Sequence, residues 1–240
     1  MEKLYHDVFL YILSYLNHKD LISLMRVSKT FYTYIDNLKL PNVDFYTACE
    51  KGYYLNIRKE LKNIKNYDIN KAFVFACKSG NIDIIKLLIL HGANNWNSGL
   101  VSACEHGHEN LIDFLCQKGA NIWDQATRVA CRNGQKKIAK KILKYYPYCI
   151  DSAFHGACEG GHINLVNYLI YFGVPKWYIG RISNMDIGLY FACKNGHKEI
   201  IKLLIKNGAN NWKYGLQGAY EGGKTEIIEY IKTLYSLTLD

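Results

Sequence analysis

The chain has 240 residues, 49% of them hydrophobic and 21% charged, with a formal net charge of +9 and 3 Pro. That apolar content suits a packed core and excludes a disordered or fibrous chain, while the longest apolar stretch, Val8 to Leu16, is far short of the roughly 20 residues of a membrane-spanning helix. The basic excess favours acidic partners, and it lies entirely beyond residue 45, because residues 1 to 45 hold 5 Lys/Arg against 5 Asp/Glu.

At the N-terminus, Glu2 and Asp7 stand where a secretory signal would be basic, and no small-residue cleavage site follows the apolar run. An intracellular, cytoplasmic protein is expected. Residues 1 to 40 then run Leu4-Tyr5-His6-Asp7-Val8, Ile12-Leu13-Ser14-Tyr15-Leu16, Asp20-Leu21 with Leu24, and Val27-Ser28-Lys29 with Phe31-Tyr32. Asn17 and Ser28 are suitable N-caps, so the segment reads as three short helices. The order and spacing of these elements resemble the F-box, with Tyr5 in place of the family's early proline. The resemblance implies docking on a Skp-family adaptor of a cullin-RING ubiquitin ligase through Leu4, Val8, Ile12, Leu13, Leu16, Leu21, Leu24 and Val27.

From residue 42 onward a small-residue pair recurs: Ala48-Cys49, Ala76-Cys77, Ala103-Cys104, Ala130-Cys131, Ala157-Cys158, Ala192-Cys193 and Ala219-Tyr220. The intervals between the alanines are 28, 27, 27, 27, 35 and 27 residues, which defines seven units. These lie near 42–69, 70–96, 97–123, 124–150, 151–185, 186–212 and 213–235. Four residues after each Ala stands a Gly, at 52, 80, 107, 134, 161, 196 and 223, placed to cap a helix in the left-handed conformation. Six residues before it stands Asn42, Asn70, Asn97, Asp124, Asp151 or Asp186, with Lys213 the exception. That register predicts the N-cap of each unit's first helix.

A second amphipathic segment follows each Gly, as in Ile84, Ile85, Leu87 and Leu88, in Leu111, Ile112, Phe114 and Leu115, and in Ile200, Ile201, Leu203 and Leu204. It ends at Gly92, Gly119, Gly173 or Gly208, so each unit reads as a helical hairpin. Gly107-His108, Gly161-His162 and Gly196-His197, with the aliphatic helix and Gly-Ala-Asn that follow, resemble the ankyrin repeat over about residues 42 to 235. The family's Thr-Pro-Leu-His element is missing, and 27 residues is shorter than its usual 33. A tight turn is therefore expected where that family has a β-hairpin finger, except that Tyr178 to Asp186, in the longer fifth interval, is expected to restore one. The fold expected is an all-α, ankyrin-type helical-hairpin solenoid.

Several side chains invite chemistry. The Gly-His histidines share one register with no carboxylate fixed beside them, so they are expected to hydrogen-bond the neighbouring loop. Burial between helices would make the Cys after each Ala inert. With no Cys-x-x-Cys, phosphate loop or nucleophile motif, no catalytic residue, metal or cofactor is expected. Trp96, Trp123, Trp177 and Trp212 recur at one register and read either as packing against the next unit or as an aromatic row facing a target. Lys136, Lys137, Lys140, Lys141 and Lys144, with Arg128 and Arg132, concentrate charge in the fourth unit, either as a solvated face or as a surface for an acidic partner. Nothing accompanies that charge to indicate nucleic acid.

The function expected is protein–protein interaction without catalysis. The ankyrin resemblance implies a target-binding array, with Trp96, Trp123, Trp212, Arg128, Arg132, Glu105 and His106 as candidate target contacts and an acidic protein as candidate target. Together with the F-box resemblance it implies the substrate-recognition subunit of a ubiquitin ligase; the alternative is an ankyrin scaffold or sequestering protein whose first forty residues only cap the array. Asn/Lys-rich arrays of short units also resemble those encoded by large DNA viruses of protists, which implies a host protein as partner and the host cytoplasm as compartment.

Overall fold

The computed structural model describes residues 42–62, 67–174 and 183–236, together with Asp20 and Ser23. The predicted F-box-like helices and their eight adaptor-docking residues lie outside the described residues, as do Trp177 and most of the expected finger. The described residues hold fourteen α-helices, one 3-10 turn and no strand. The chain divides into two compact units, 1–94 and 95–240.

In the first unit, α1 (Phe45–Lys51) and α2 (Tyr54–Lys62) form one hairpin, and α3 (Ile69–Ser79) and α4 (Ile82–Leu90) a second. The second unit continues the motif with α5 (Trp96–His106), α6 (Glu109–Gln117), α7 (Trp123–Arg132) and α8 (Lys136–Tyr145). A 3-10 turn at Pro147–Cys149 leads to α9 (Ile150–Gly160) and α10 (Ile163–Phe172). Then follow α11 (Asn184–Asn195), α12 (Lys198–Lys206), α13 (Trp212–Glu221) and α14 (Thr225–Ser236). Within this unit the first helices of successive hairpins, α5, α7, α9, α11 and α13, pack side by side in a row, with each hairpin's second helix behind its first.

The recurring small pair lies in the centre of the row. Every register Ala from 48 to 219 and every Cys that follows one is fully buried. Tyr220, which takes the Cys position in the seventh repeat, is 58% exposed. On the second helices the buried positions fall at i, i+1 and i+4, as in Ile84, Ile85 and Leu88, in Leu111, Ile112 and Leu115, and in Ile200, Ile201 and Leu204. Leu87, Phe114 and Leu203, which the sequence pattern places on the same face, are half-buried at its margin.

All seven predicted cap glycines have positive φ. At Gly161 the φ of 81° serves two purposes. It ends α9, and the missing side chain makes room for the His197 ring, whose Cε1 would lie 2.6 Å from a Cβ there. The His197 Nε2 bonds the Glu159 carbonyl at 3.0 Å, and the His162 Nε2 likewise bonds the Arg132 carbonyl at 2.8 Å. Each ring thus satisfies an orphan carbonyl at the end of the preceding first helix. The loops after the second helices are tight turns around Gly92, Gly119 and Gly208, as expected.

The predicted N-caps are corrected. The first helix begins two residues later than Asn42 implies, capped by Asp44, and the others begin two or three residues earlier than predicted; Asp68, Asn95, Ser183 and Asn211, like Asp44, accept a backbone N–H from the first turn. Ile122 and Cys149 take the cap position of α7 and α9 without a side-chain bond. Ser183 and Asp186 form a reciprocal capping box, so the end of the expected finger is the start of α11. Asn70, Asn97, Asp124, Asp151 and Asp186 instead reach forward to the following repeat. The Asn70 Oδ1 accepts from the Asn94 N–H at 2.9 Å, and the Asn97 Oδ1 accepts from the Asn121 N–H at 2.8 Å. The Asp186 Oδ1 accepts from the N–H groups of Asn210 and Asn211 at 3.0 and 2.9 Å. Asp124 accepts from the Ser152 hydroxyl, and Asp151 from the Asn184 amide. From Asn70 onward a side chain six residues before the Ala is already inside its helix, so its oxygen can serve donors of the following repeat that no strand pairs.

Asp186 carries the largest such load and is 6% exposed. Asp186→Ala, which strands two loop N–H groups and the Ser183 cap, is expected to destabilise the second unit by about 2–4 kcal/mol, and Asp186→Asn, which keeps an acceptor, by about 1 kcal/mol. Urea unfolding followed by circular dichroism measures both; equal losses would show that the oxygen is not what matters.

Candidate protein-interaction surface

The residue two places after each register Ala lies on the outer side of its first helix and alternates in sign through the chain: Glu50, Lys78, Glu105, Arg132, Glu159, Lys194, Glu221. In the first unit the Lys78 Nζ lies 2.6 Å from Glu50. In the second, Arg132 lies between two carboxylates, 3.7 Å from Glu105 and 3.6 Å from Glu159. Arg128, one turn earlier, donates to the other oxygen of Glu159 through Nε at 3.3 Å and Nη2 at 3.1 Å, with its guanidinium 4.6 Å over the Phe191 ring. Further along, Lys194 and the Tyr190 hydroxyl both donate to the Glu221 Oε2, at 2.8 and 2.5 Å. The alternation is legible in the sequence only once the Ala register is known, because the charges are scattered in the linear order.

Close helix packing brings these partners together. A Cβ on Gly156 or Gly160 of α9 would collide with the carbonyl oxygens of Arg128 and Arg132 in α7. Gly218 of α13 and Gly222, which caps it, meet those of Tyr190 and Lys194 in α11 in the same way. Each pair is partly exposed and screened by solvent, so the network's effect is to fix side-chain positions along the row.

Of the candidate target contacts, Arg128, Arg132 and Glu105 therefore already engage one another's neighbours within the row. His106 is exposed, its Nδ1 against the Ser102 carbonyl at 3.0 Å. Trp96, Trp123 and Trp212 each occupy the first position of their helix. Trp96 and Trp212 are half-buried, whereas Trp123 is 7% exposed and stacks on Tyr146 with centroids 4.2 Å apart. It forms one wall of an open groove of about 340 Å³ between α6 and α8, which Ile112, Cys116 and Ile142 also line.

Among the described residues no three His, Cys, Asp or Glu side chains converge as a metal-binding group, and no helix is long and apolar enough to cross a membrane. Burial pushes the thiols of Cys49, Cys77, Cys104, Cys131 and Cys193 up to about 12 and that of Cys149 to about 11. Cys158 is raised further for the same reason. Cys116 alone is partly accessible. Native labelling with a maleimide is expected to modify at most Cys116 of the eight cysteines, the rest reacting only after denaturation; fast labelling of any Ala-Cys thiol, read by mass spectrometry, would contradict this packing.

A partly buried polar chain joins α9 to α11: the His155 Nε2 donates to the Asn184 Oδ1 at 3.2 Å, and the Asn184 Nδ2 donates to Asp151. Desolvation, with the Arg128 charge nearby, holds His155 down at about 4. The unfolded chain therefore binds a proton between pH 6.5 and 4 that the folded chain refuses, and the stability this residue contributes is complete above pH 6.5 and lost as the pH falls through that window. Thermal melts from pH 7 to 4 are expected to show a decline that His155→Gln reduces; an unchanged slope would remove His155 as its source.

Two family models match the chain. Ankyrin repeats (3 copies) match residues 45–126 and 127–214, and the F-box domain matches residues 1–42. No curated protein shows significant sequence similarity to it. The fold is similar to the crystal structure of the human ASB11 ankyrin repeat domain, with a TM-score of 0.51 and 21% identity over 70% of this chain and 85% of that one. Both families are protein-interaction modules. The all-helical hairpin array, with its register Ala, cap glycines and inter-repeat ties, belongs to the ankyrin-repeat family.

Proposed function

We propose that the chain is the substrate-recognition subunit of a cullin-RING ubiquitin ligase. The observation that carries this reading is the junction of an F-box match at residues 1–42 with ankyrin-repeat matches that begin at residue 45. In this reading residues 1–40 dock a Skp-family adaptor through Leu4, Val8, Ile12, Leu13, Leu16, Leu21, Leu24 and Val27, and the array from 42 to 235 holds the target. The half-buried Trp96 and Trp212 and the exposed His106 offer target contacts, while Glu105, Arg128 and Arg132 act through the ion-pair row and Trp123 through its packing on Tyr146.

Chemistry on the target then belongs to other subunits, and this chain supplies proximity. Holding a target lysine near a charged ubiquitin carrier replaces a bimolecular encounter with a tethered one. The composition resemblance extends the reading to a host protein as target and the host cytoplasm as compartment.

The full chain and a Leu13→Asp/Leu16→Asp variant, each used as bait in a eukaryotic lysate, test it. Wild type is expected to capture adaptor and cullin, and the variant to lose both by more than about tenfold while retaining target proteins, since a charge in an apolar docking face costs several kcal/mol. Failure of the wild type to capture the adaptor would leave an ankyrin scaffold whose N-terminal residues cap the array.

A further inference from the structure

Helix α8 is built against its own stability. Its sequence, KKIAKKILKY, holds five lysines and no acid. Lys136 and Lys137 occupy the first turn, where the helix dipole disfavours cations, while the second helices α6, α12 and α14 place Glu109, Glu199 and Glu226 there. Lys136, Lys140 and Lys144 stand at four-residue spacing, so like charges face each other twice along one stripe. Gln135, at the N-cap, makes no capping bond. Lys141 pairs with Asp113 at 2.7 Å, but the exposed Lys136, Lys137, Lys140 and Lys144 reach no carboxylate among the described residues.

The neighbouring second helix differs in kind. Helix α10, INLVNYLIYF, carries no charge. Lys136 and Lys140 both lie over its Tyr168 ring, at 5.5 and 4.8 Å from the centroid. Lys144 lies 5.5 Å over Tyr145. Tyr145 is 65% exposed and Tyr171 92%, beside Phe172 at 47%. A lysine stripe with aromatic rings at its C-terminal end, unneutralised by the fold, is a surface that burial of a matching partner would stabilise.

We infer that the α8–α10 face docks an acidic polypeptide segment, with carboxylates spaced to meet Lys136, Lys140 and Lys144 over about 12 Å and an apolar residue for Tyr145 or Tyr171. This surface gives the target-holding half of the proposed function a location on the second helices, and it rests on that reading. An acidic peptide suits it better than nucleic acid. The stripe holds no Arg fork for phosphate or base edges, and Tyr168 is already covered by lysines, which leaves no stacking platform there.

The test is fluorescence anisotropy on the purified full chain with a labelled peptide in which Glu recurs every fourth position among Leu and Tyr. A single-stranded oligonucleotide and phosphatidylcholine/phosphatidylserine vesicles serve as the other probes. Wild type is expected to bind the peptide in preference to both, with affinity that falls as salt rises. Lys136→Gln/Lys140→Gln/Lys144→Gln is expected to weaken binding by about tenfold or more and to melt no lower than wild type, because the repulsion along α8 is gone. Tyr171→Ala is expected to weaken it by about threefold. Lys202→Gln/Lys206→Gln on α12 is expected to leave it unchanged. Unaltered peptide affinity in the triple variant, an equal loss from the α12 variant, affinity indifferent to salt, or tighter binding of the oligonucleotide or vesicles would each overturn the inference. The assay contains no adaptor, so peptide binding without adaptor capture refutes only the ligase reading, and adaptor capture without peptide binding refutes only this surface.

Discussion

The second unit depends on how closely successive first helices approach. The first four carry an Ala-Cys step with no exposure at its centre and the fifth a fully buried Ala219, and at two junctions glycine replaces the side chain that would otherwise meet the neighbour's backbone. A lone hairpin of this kind leaves half of its apolar surface in water, so the fold is favourable only when the neighbour is present. Small residues at the seam let hairpins of only about two to three turns per helix find that burial.

Other features follow from that spacing. With helix backbones almost touching, a side chain on one first helix reaches the same register on the next, and the alternation from Glu105 through Arg132 to Glu159 becomes a chain of ion pairs. Like signs at that register would repel at every junction. The same closeness lets His162 and His197 bond a carbonyl of the preceding repeat. It also lets Asn97 and Asp186 reach backbone donors of the following loop. Short repeats lack the hairpin finger that would pair those loop donors, and the Asn and Asp side chains do that work instead.

The two faces of the second unit consequently differ in electrostatic character. Along the first helices charges are largely matched within the row, which makes that side stiff and locally neutral. Along α8 four lysines remain unmatched, next to an uncharged and aromatic α10. For a chain whose basic excess lies wholly outside its first 45 residues, this concentrates attraction for acidic groups on the second-helix side.

The sequence by itself determined the repeat, its seven alanines, the helix-ending glycines and the all-α class, because local rules govern them: left-handed φ demands Gly, and helical periodicity reveals an apolar face. The eight N-terminal adaptor residues remain legible only as a family pattern. What tertiary structure decided was the use of side chains whose partners are one repeat away. Asn70, Asn97 and Asp186 look like caps in isolation and act as ties, since a cap and a tie both need an oxygen near a helix start and differ only in which donors packing delivers. Arg128, Arg132 and Glu105 look like free surface charges, and packing pairs them. Trp123 looks like the other tryptophans, and only the Tyr146 that follows α8 turns it inward. In each case the deciding distance spans some 23 to 31 residues of chain, beyond the reach of any local pattern.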